Sequence, residues 1–413
     1  MATNAGVATF PGYAASAPRA RSTVNPVIRA ALYIFVLSIP FEMPHRTTIP
    51  IEIPTITGSI FLLATLLRPG VSYRHIPSAV IWFCLYFWMF GLSTLVNQTT
   101  QTALVLQLFL LMLQMFLILW AASNLLRDPS VMRGVLIAMA VAVTVRAALQ
   151  VLGIGATAHQ VWTGGERITA FGQNANLSAI IMAVGGVILL NLRPKVVTWP
   201  IVGVIGLAII QTGSRGGLIC FAVGVLVWAV GSGRTTAARL RGLAAGVAVL
   251  GVLAFGVLHS DMLRTRLLAS AESGALAGRE RIYPAAVSMI SERPLLGWGP
   301  IENQFEIGAR IGEEKKDRRD AHNIVLDLMS STGVLGTIPF LIGYALCIRS
   351  AWRARRGSWG ILPLALLAVT FMGCMSGTWI ASKILWFTYA IALAAGATAP
   401  SPQSRSARSE ATS

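Results

Sequence analysis

The sequence predicts an all-α polytopic membrane protein of about 12 transmembrane helices, with one long loop that carries an amphipathic helix. Three observations lead there. Hydrophobic residues make up 55% of the 413-residue chain and charged residues only 12%, about half the roughly 25% of soluble domains. Apolar runs of about 17–24 residues recur from near Val27 to near Thr398, a length that lets a helix cross a bilayer. The runs are continuous and do not alternate, which suits helices, and hydrocarbon leaves unpaired strand backbone without partners.

Taken in order, residues 1–23 are rich in Ala, Ser, Thr and Pro and lack the apolar core of a cleavable signal. They read as a disordered cytoplasmic N-terminus, with the first span as an uncleaved start-transfer segment. A transmembrane domain over 24–398 follows. Spans are expected near 26–40, 51–67, 76–96, 102–126, 131–154, 175–191, 196–212, 215–231, 240–258, 323–348, 359–377 and 380–398. Ser330, Ser331, Thr332 and Gly333 interrupt the span at 323–348, so a short amphipathic helix is expected ahead of the true crossing. Residues 399–413 read as a disordered cytoplasmic tail. Cys84, Cys220, Cys347 and Cys374 lie inside spans, with no paired or metal-ligand spacing.

Basic residues set the orientation. One alternate set of gaps holds Arg19, Arg21 and Arg29, Arg68 and Arg74, Arg127 and Arg133, and Arg193 and Lys195. It continues with Arg234, Arg239 and Arg241, with Arg349, Arg353, Arg355 and Arg356, and with Arg405 and Arg408. The other short gaps hold only Arg46, Arg167, Arg215 and Lys383. By the positive-inside rule both termini are cytoplasmic. The long segment 259–321 carries ten basic and ten acidic residues and falls on the outer, periplasmic side by alternation. The net charge of +17 is thus a topology signal, and no nucleic-acid partner is expected.

Unusual residues gather in the outer gaps: the glycine-rich 155–174, the QTGSRGG stretch with Arg215 at a helix start, the long loop, and His322 where a charge run meets an apolar segment. Within the loop, Arg279 to Arg293 reads as an amphipathic helix with Ile282, Ala286, Met289 and Ile290 on one face. Pro294 breaks it, and Gly297 and Gly299 form a tight turn around Trp298, which could sit at headgroup level. The run GEEKKDRRD reads as a solvated face.

QTGSRGG at the head of a span, GRERIY with PLLGWGP, and AHN before a span resemble, in order and spacing, the O-antigen ligase and polymerase superfamily. The resemblance covers about 198–345, and the upstream ERITAFGQNANLSA is similar to the family's arginine-then-asparagine stretch. It implies a GT-C-like, inverting membrane glycosyltransferase whose donor is a glycan on undecaprenyl pyrophosphate at the periplasmic leaflet. The acceptor would be lipid A-core, as in the ligase branch, or a growing glycan chain, as in the O-antigen and exopolysaccharide polymerases. No metal and no cofactor is implied, and no Asp-x-Asp pair stands in an outer gap to bind a divalent cation. The residues carried over are Arg215, Arg279 and His322, with Arg167 and Asn176 as looser matches.

The residue types fit that chemistry, each beside a plainer alternative. Arginine binds phosphate oxygens bidentately and stays charged. Arg215 also starts a helix, where free N–H groups favour an anion, or it snorkels to headgroups. Arg279 could pair with Glu280 or Glu272, and Arg281 is its nearest rival. A neutral imidazole can take the proton of an attacking hydroxyl, which makes His322 the candidate base; otherwise it caps a helix at the interface. His45, His75 and His259 lack a motif context, and His159 competes through its closeness to Arg167. Arg167 orients phosphate or glycan, or ties down its own loop. Asn174 and Asn176 contact sugar or cap the next helix. Trp162 and Trp298 stack on sugar rings or anchor at the interface. Arg146, inside a span, must face a cavity or a partner. A competing class, a lipid-linked oligosaccharide flippase, would show two related halves with midplane charges, and the halves 26–191 and 196–398 show no such match.

Overall fold

The computed structural model describes residues 24–43, 52–160, 166–233, 235–273, 278–312 and 318–400. The expected tails (all of 1–23, most of 399–413), Arg46, Trp162, Arg234 and most of the acidic-basic run at 313–317 lie outside the described residues.

Helix α1 (Pro26–Ser38) runs into a 3-10 turn and is followed by α2 (Ile53–Thr65), the one-turn α3 (Pro69–Ser72), α4 (Ser78–Val96), α5 (Thr102–Leu125) and α6 (Pro129–Val151). A hairpin of β1 (Ala156–Gln160) and β2 (Glu166–Ala170) leads to α7 (Ala175–Asn191), α8 (Lys195–Gln211), α9 (Arg215–Gly231) and α10 (Thr236–Leu258). The long loop folds into α11 (Asp261–Ser273), α12 (Arg279–Glu292) and α13 (Glu302–Arg310), and the chain ends with α14 (Ile324–Ala354), α15 (Leu362–Cys374) and α16 (Lys383–Ala397). By length and composition α4, α5, α6, α10 and α14 are apolar enough to cross a membrane, and seven shorter apolar helices stand at the remaining expected positions. The chain is a multi-pass helical membrane protein.

Two departures from the sequence reading bear on the site. The glycine-rich gap at 155–174 is a hairpin that pairs His159 with Arg167, because five-residue runs such as ERITA are long enough to pair across a turn. The long loop is three helices and not one. It has its own small core of Ile282, Ala286, Met289, Ile307, Ile311 and Ala321, with Trp298 packed against it.

The interior of the bundle is aromatic where α4, α14 and α16 meet. Phe83 stacks on Tyr389 at 5.5 Å and meets Trp386 edge-on at 5.1 Å, while Tyr86 meets Phe340 at 5.3 Å. Such pairs add about 0.5–1.5 kcal/mol each beyond burial. The expected interruption of α14 falls at Gly333, whose φ of 60° and ψ of −165° break the helix. The cause lies in the loop. Residues 294–299 press against the break, with Trp298 N–H donating to Ser330 O (2.7 Å), Gly299 N–H to Ser331 O (3.0 Å) and Val334 N–H to Pro294 O (2.8 Å). A Cβ on Gly333 would collide with the Leu295 backbone, and one on Gly297 would meet the Ser331 carbonyl carbon at 2.6 Å. The PLLGWG segment therefore needs glycine on both sides of the contact, and through it the loop helices are locked to α14.

Candidate functional site

The site builds outward from the turn before α9. Ser214 caps that helix, accepting from Gly217 N–H at 3.0 Å, and its hydroxyl donates to Asn176 Oδ1 at 2.8 Å. Arg167, on β2, donates to the same Oδ1 at 3.0 Å and, through Nε, to Thr212 O at 2.8 Å. The hairpin thus exists to lay one guanidinium beside the α9 N-terminus. Asn174 is the cap of α7, accepting from Asn176 N–H at 2.9 Å, while Asn176 turns its side chain to Arg167 and Ser214.

Helix α11 adds a residue that the sequence did not reveal. Arg266 donates to Gly213 O at 2.5 Å, and Arg215 reaches the Arg266 carbonyl at 3.5 Å. Three guanidiniums therefore crowd one helix N-terminus. Burial, then Arg266 and then Arg215, push the pKa of Arg167 down to about 10, and burial followed by Arg215 lowers that of Arg266. Arg167 nevertheless stays charged at neutral pH.

Arg279 approaches from the other side. It opens α12 after Gly278, whose φ is +86°, and donates to Ser376 O at 2.9 Å, with its buried Nε left without a hydrogen bond. Ser376 lies against the first turn of α9, since a Cβ on Gly216 would stand 2.9 Å from its hydroxyl. Arg279 and the Gly216 turn, next to Arg215, accordingly meet at one serine.

His322 completes the constellation. It is half-buried, with φ at +51°. Its Nδ1 lies 3.4 Å from Asp320 Oδ2, and its backbone N–H donates to Asp320 Oδ1 at 3.1 Å. Asp320 is held in turn by Thr378, whose N–H donates to Oδ2 at 2.9 Å and whose hydroxyl donates to Oδ1. Burial, Arg279 and Arg319 lower the imidazole pKa while Asp320 opposes them, and the net shift is downward. A ring pushed down is neutral, and able to accept a proton, at neutral pH. Asn323, next in sequence, takes the helix-capping role by accepting from Val325 N–H at 2.9 Å.

The structure thus brings Arg167, Asn176, Arg215, Arg279 and His322 to one end of the bundle through linked contacts. Arg281 and Trp298 do not join them. Arg281 turns back to Ile311 O. Trp298 donates to Met289 O at 2.9 Å and lies under Arg293 (4.0 Å) and Arg310 (5.1 Å), so it is a strut of the loop core. Arg146 is 1% exposed and donates to Pro40 O (2.6 Å) and Ser178 Oγ (2.8 Å), a polar partner set inside the bundle. Among the described residues no three His, Cys, Asp or Glu side chains group to hold a metal ion.

A helical membrane bundle with four guanidiniums and a neutral imidazole at one end defines a membrane protein equipped to receive an anionic ligand. Residues 200–341 match the family model described as O-antigen ligase, which supports the resemblance to the O-antigen ligase superfamily. The O-antigen ligase of Pseudomonas aeruginosa is 28% identical over 185 residues, 44% of this chain and 40% of that relative. The match therefore spans less than half of the relative's length. The matched family segment contains Arg215, Arg266, Arg279 and His322, whereas Arg167, Asn176, Ser376 and Thr378 lie outside it.

Proposed function

We propose that the protein is a metal-independent, inverting glycosyltransferase of lipopolysaccharide assembly. It would move a glycan from undecaprenyl pyrophosphate to an acceptor hydroxyl on lipid A-core, in the manner of an O-antigen ligase. The chain would cross the inner membrane twelve times with both termini cytoplasmic and the site facing the periplasm. The supporting observation is the crowding of Arg167, Arg215 and Arg266 at the α9 N-terminus, where the charges that perturb Arg167 are two further arginines. Like charges repel, and such a cluster is suited to a polyanion that neutralises it.

In this reading the pyrophosphate lies across the arginines, with Arg279 on its sugar side. The acceptor hydroxyl gives its proton to His322 as its oxygen bonds to the anomeric carbon. The bond from that carbon to the pyrophosphate breaks, and its electron pair leaves on the phosphate oxygen, where the guanidiniums stabilise the charge. A single displacement inverts the anomeric centre.

The test is reconstitution of the full chain with lipid-linked glycan and lipid A-core. His322→Ala should abolish transfer while leaving insertion intact, and turnover at the wild-type rate in that variant would refute the assignment. Lengthening of glycan chains when lipid-linked repeat units are supplied alone would reassign the acceptor to a polymerase's.

A further inference from the structure

We propose that Asp320 is the positioning residue for His322, holding its ring so that Nδ1 carries the hydrogen and Nε2 is free to take the acceptor's proton. The inference rests on the reading of His322 as the base. Asp320 closes the run of charges that otherwise reads as solvated surface, yet its contacts are with His322 and with Thr378 of the α15–α16 connection. Oδ1 accepts the backbone N–H of His322 at 3.1 Å and the hydroxyl of Thr378; Oδ2 accepts Thr378 N–H at 2.9 Å and stands 3.4 Å from His322 Nδ1. Nδ1 is buried and makes no hydrogen bond in the structure, but a carboxylate only accepts, so the 3.4 Å approach of Oδ2 favours the tautomer with its hydrogen on Nδ1. The other nitrogen then has the lone pair.

The backbone supports the same assignment. His322 holds a φ of +51°, a left-handed conformation uncommon for a residue with a side chain. The Asp320 bond to its N–H helps to hold that conformation. The α15–α16 connection fastens both halves of the site, because Ser376 O takes Arg279 while Thr378, two residues on, takes Asp320. When Nε2 accepts the hydroxyl proton, the imidazolium is balanced by the Asp320 carboxylate. The proton passes to water after the product leaves.

The charged groups that face the ring are Asp320 and Arg319 of its own loop and Arg279 of α12. Removing the Asp320 charge leaves burial and two arginines, all of which disfavour the imidazolium. The acid limb of the pH profile therefore moves to lower pH, and the plateau falls because the weaker, misaligned base takes the proton poorly.

The experiment measures transfer by the reconstituted full chain against pH for wild type, Asp320→Asn, Thr378→Val and His322→Ala. Asp320→Asn should lose about tenfold or more in kcat with little change in KM, with its acid limb shifted down. Thr378→Val should move both readouts in the same direction by less. A wild-type plateau and an unmoved limb in Asp320→Asn, with His322→Ala inactive, would overturn the positioning role alone. If Asp320→Asn does not fold, Thr378→Val decides by the same two readouts. Full turnover in His322→Ala removes the base itself, a distinct failure.

Discussion

Two charged assemblies occupy the same end of the bundle and are built on opposite principles. Where α16 begins, Lys383 is fully buried between two carboxylates, 2.9 Å from Glu42 and 3.2 Å from Glu52. Ser382 adds a hydroxyl to Glu42 at 2.7 Å, and the Lys383 N–H adds a backbone donor at 3.1 Å. Opposite charges meet there, and the assembly ties α16 to the segments flanking the α1–α2 connection. At the start of α9 three like charges meet: beyond burial, Arg266 and Arg215 depress the pKa of Arg167, and Arg215 that of Arg266. A cluster of opposite charges joins helices, whereas a cluster of like charges is the arrangement a polyanion would suit. The contrast suggests a test that tells structural from functional charge.

The largest expected effect is on the compensated side. Lys383→Met leaves Glu42, 1% exposed, as a buried anion, and breaking such a pair from one partner costs about 3–5 kcal/mol. Thermal unfolding in detergent should show the loss, with turnover per folded molecule retained. Replacing Glu42 and Glu52 with Gln as well should recover most of it, since removing the whole assembly leaves no charge stranded. A Lys383→Met protein as stable as wild type would erase the distinction.

Arg215→Gln is the counterpart and should behave in the opposite way. Removing one of three mutually repelling charges should leave the unfolding midpoint unchanged or raise it, while transfer falls about 10²–10³-fold, the scale of losing one charge-stabilising donor. A variant that is destabilised but turns over normally would put Arg215 with the structural charges.

How much of this was legible depended on whether a residue's partners lie near it in sequence. α7 and α9 run over 175–191 and 215–231 as expected, because continuous apolarity is a local property. Arg215 was readable because it stands at a helix start. Arg266 was not, since α11 has no apolar stripe to announce a helix, and its contact with Gly213 spans 53 residues. Asp320 was hidden inside a charge run, and only Thr378, 58 residues on, shows which way it faces. Lys383 was read only as a basic gap residue, and Glu42 and Glu52 gave no signal, because their pairing joins the two ends of the chain. Trp298 misled for the opposite reason. A tryptophan between glycines near a membrane suits an interfacial anchor, but the loop core that claims it is assembled from residues on both sides of the turn.

The smallest effect should come from a third set of charges, which marks the boundary between the other two. Arg310 bridges Glu292 at 2.6 Å and Glu306 at 2.8 Å and lies over Trp298 at 5.1 Å. This set is compensated like Lys383 but open to water, and exposed pairs contribute little because solvent and salt screen them. Arg310→Ala should leave turnover unchanged and lower the unfolding midpoint only slightly, with the gap to wild type closing in about 1 M salt, where the screening length falls to about 3 Å. Trp298 keeps Arg293 over its other contacts at 4.0 Å, so its ring should not be released. A clear loss of turnover would mean that the Trp298 platform reaches the glycan after all. Compensation would then no longer separate the charges that build this protein from those that serve it, and contact with substrate would have to be tested side chain by side chain.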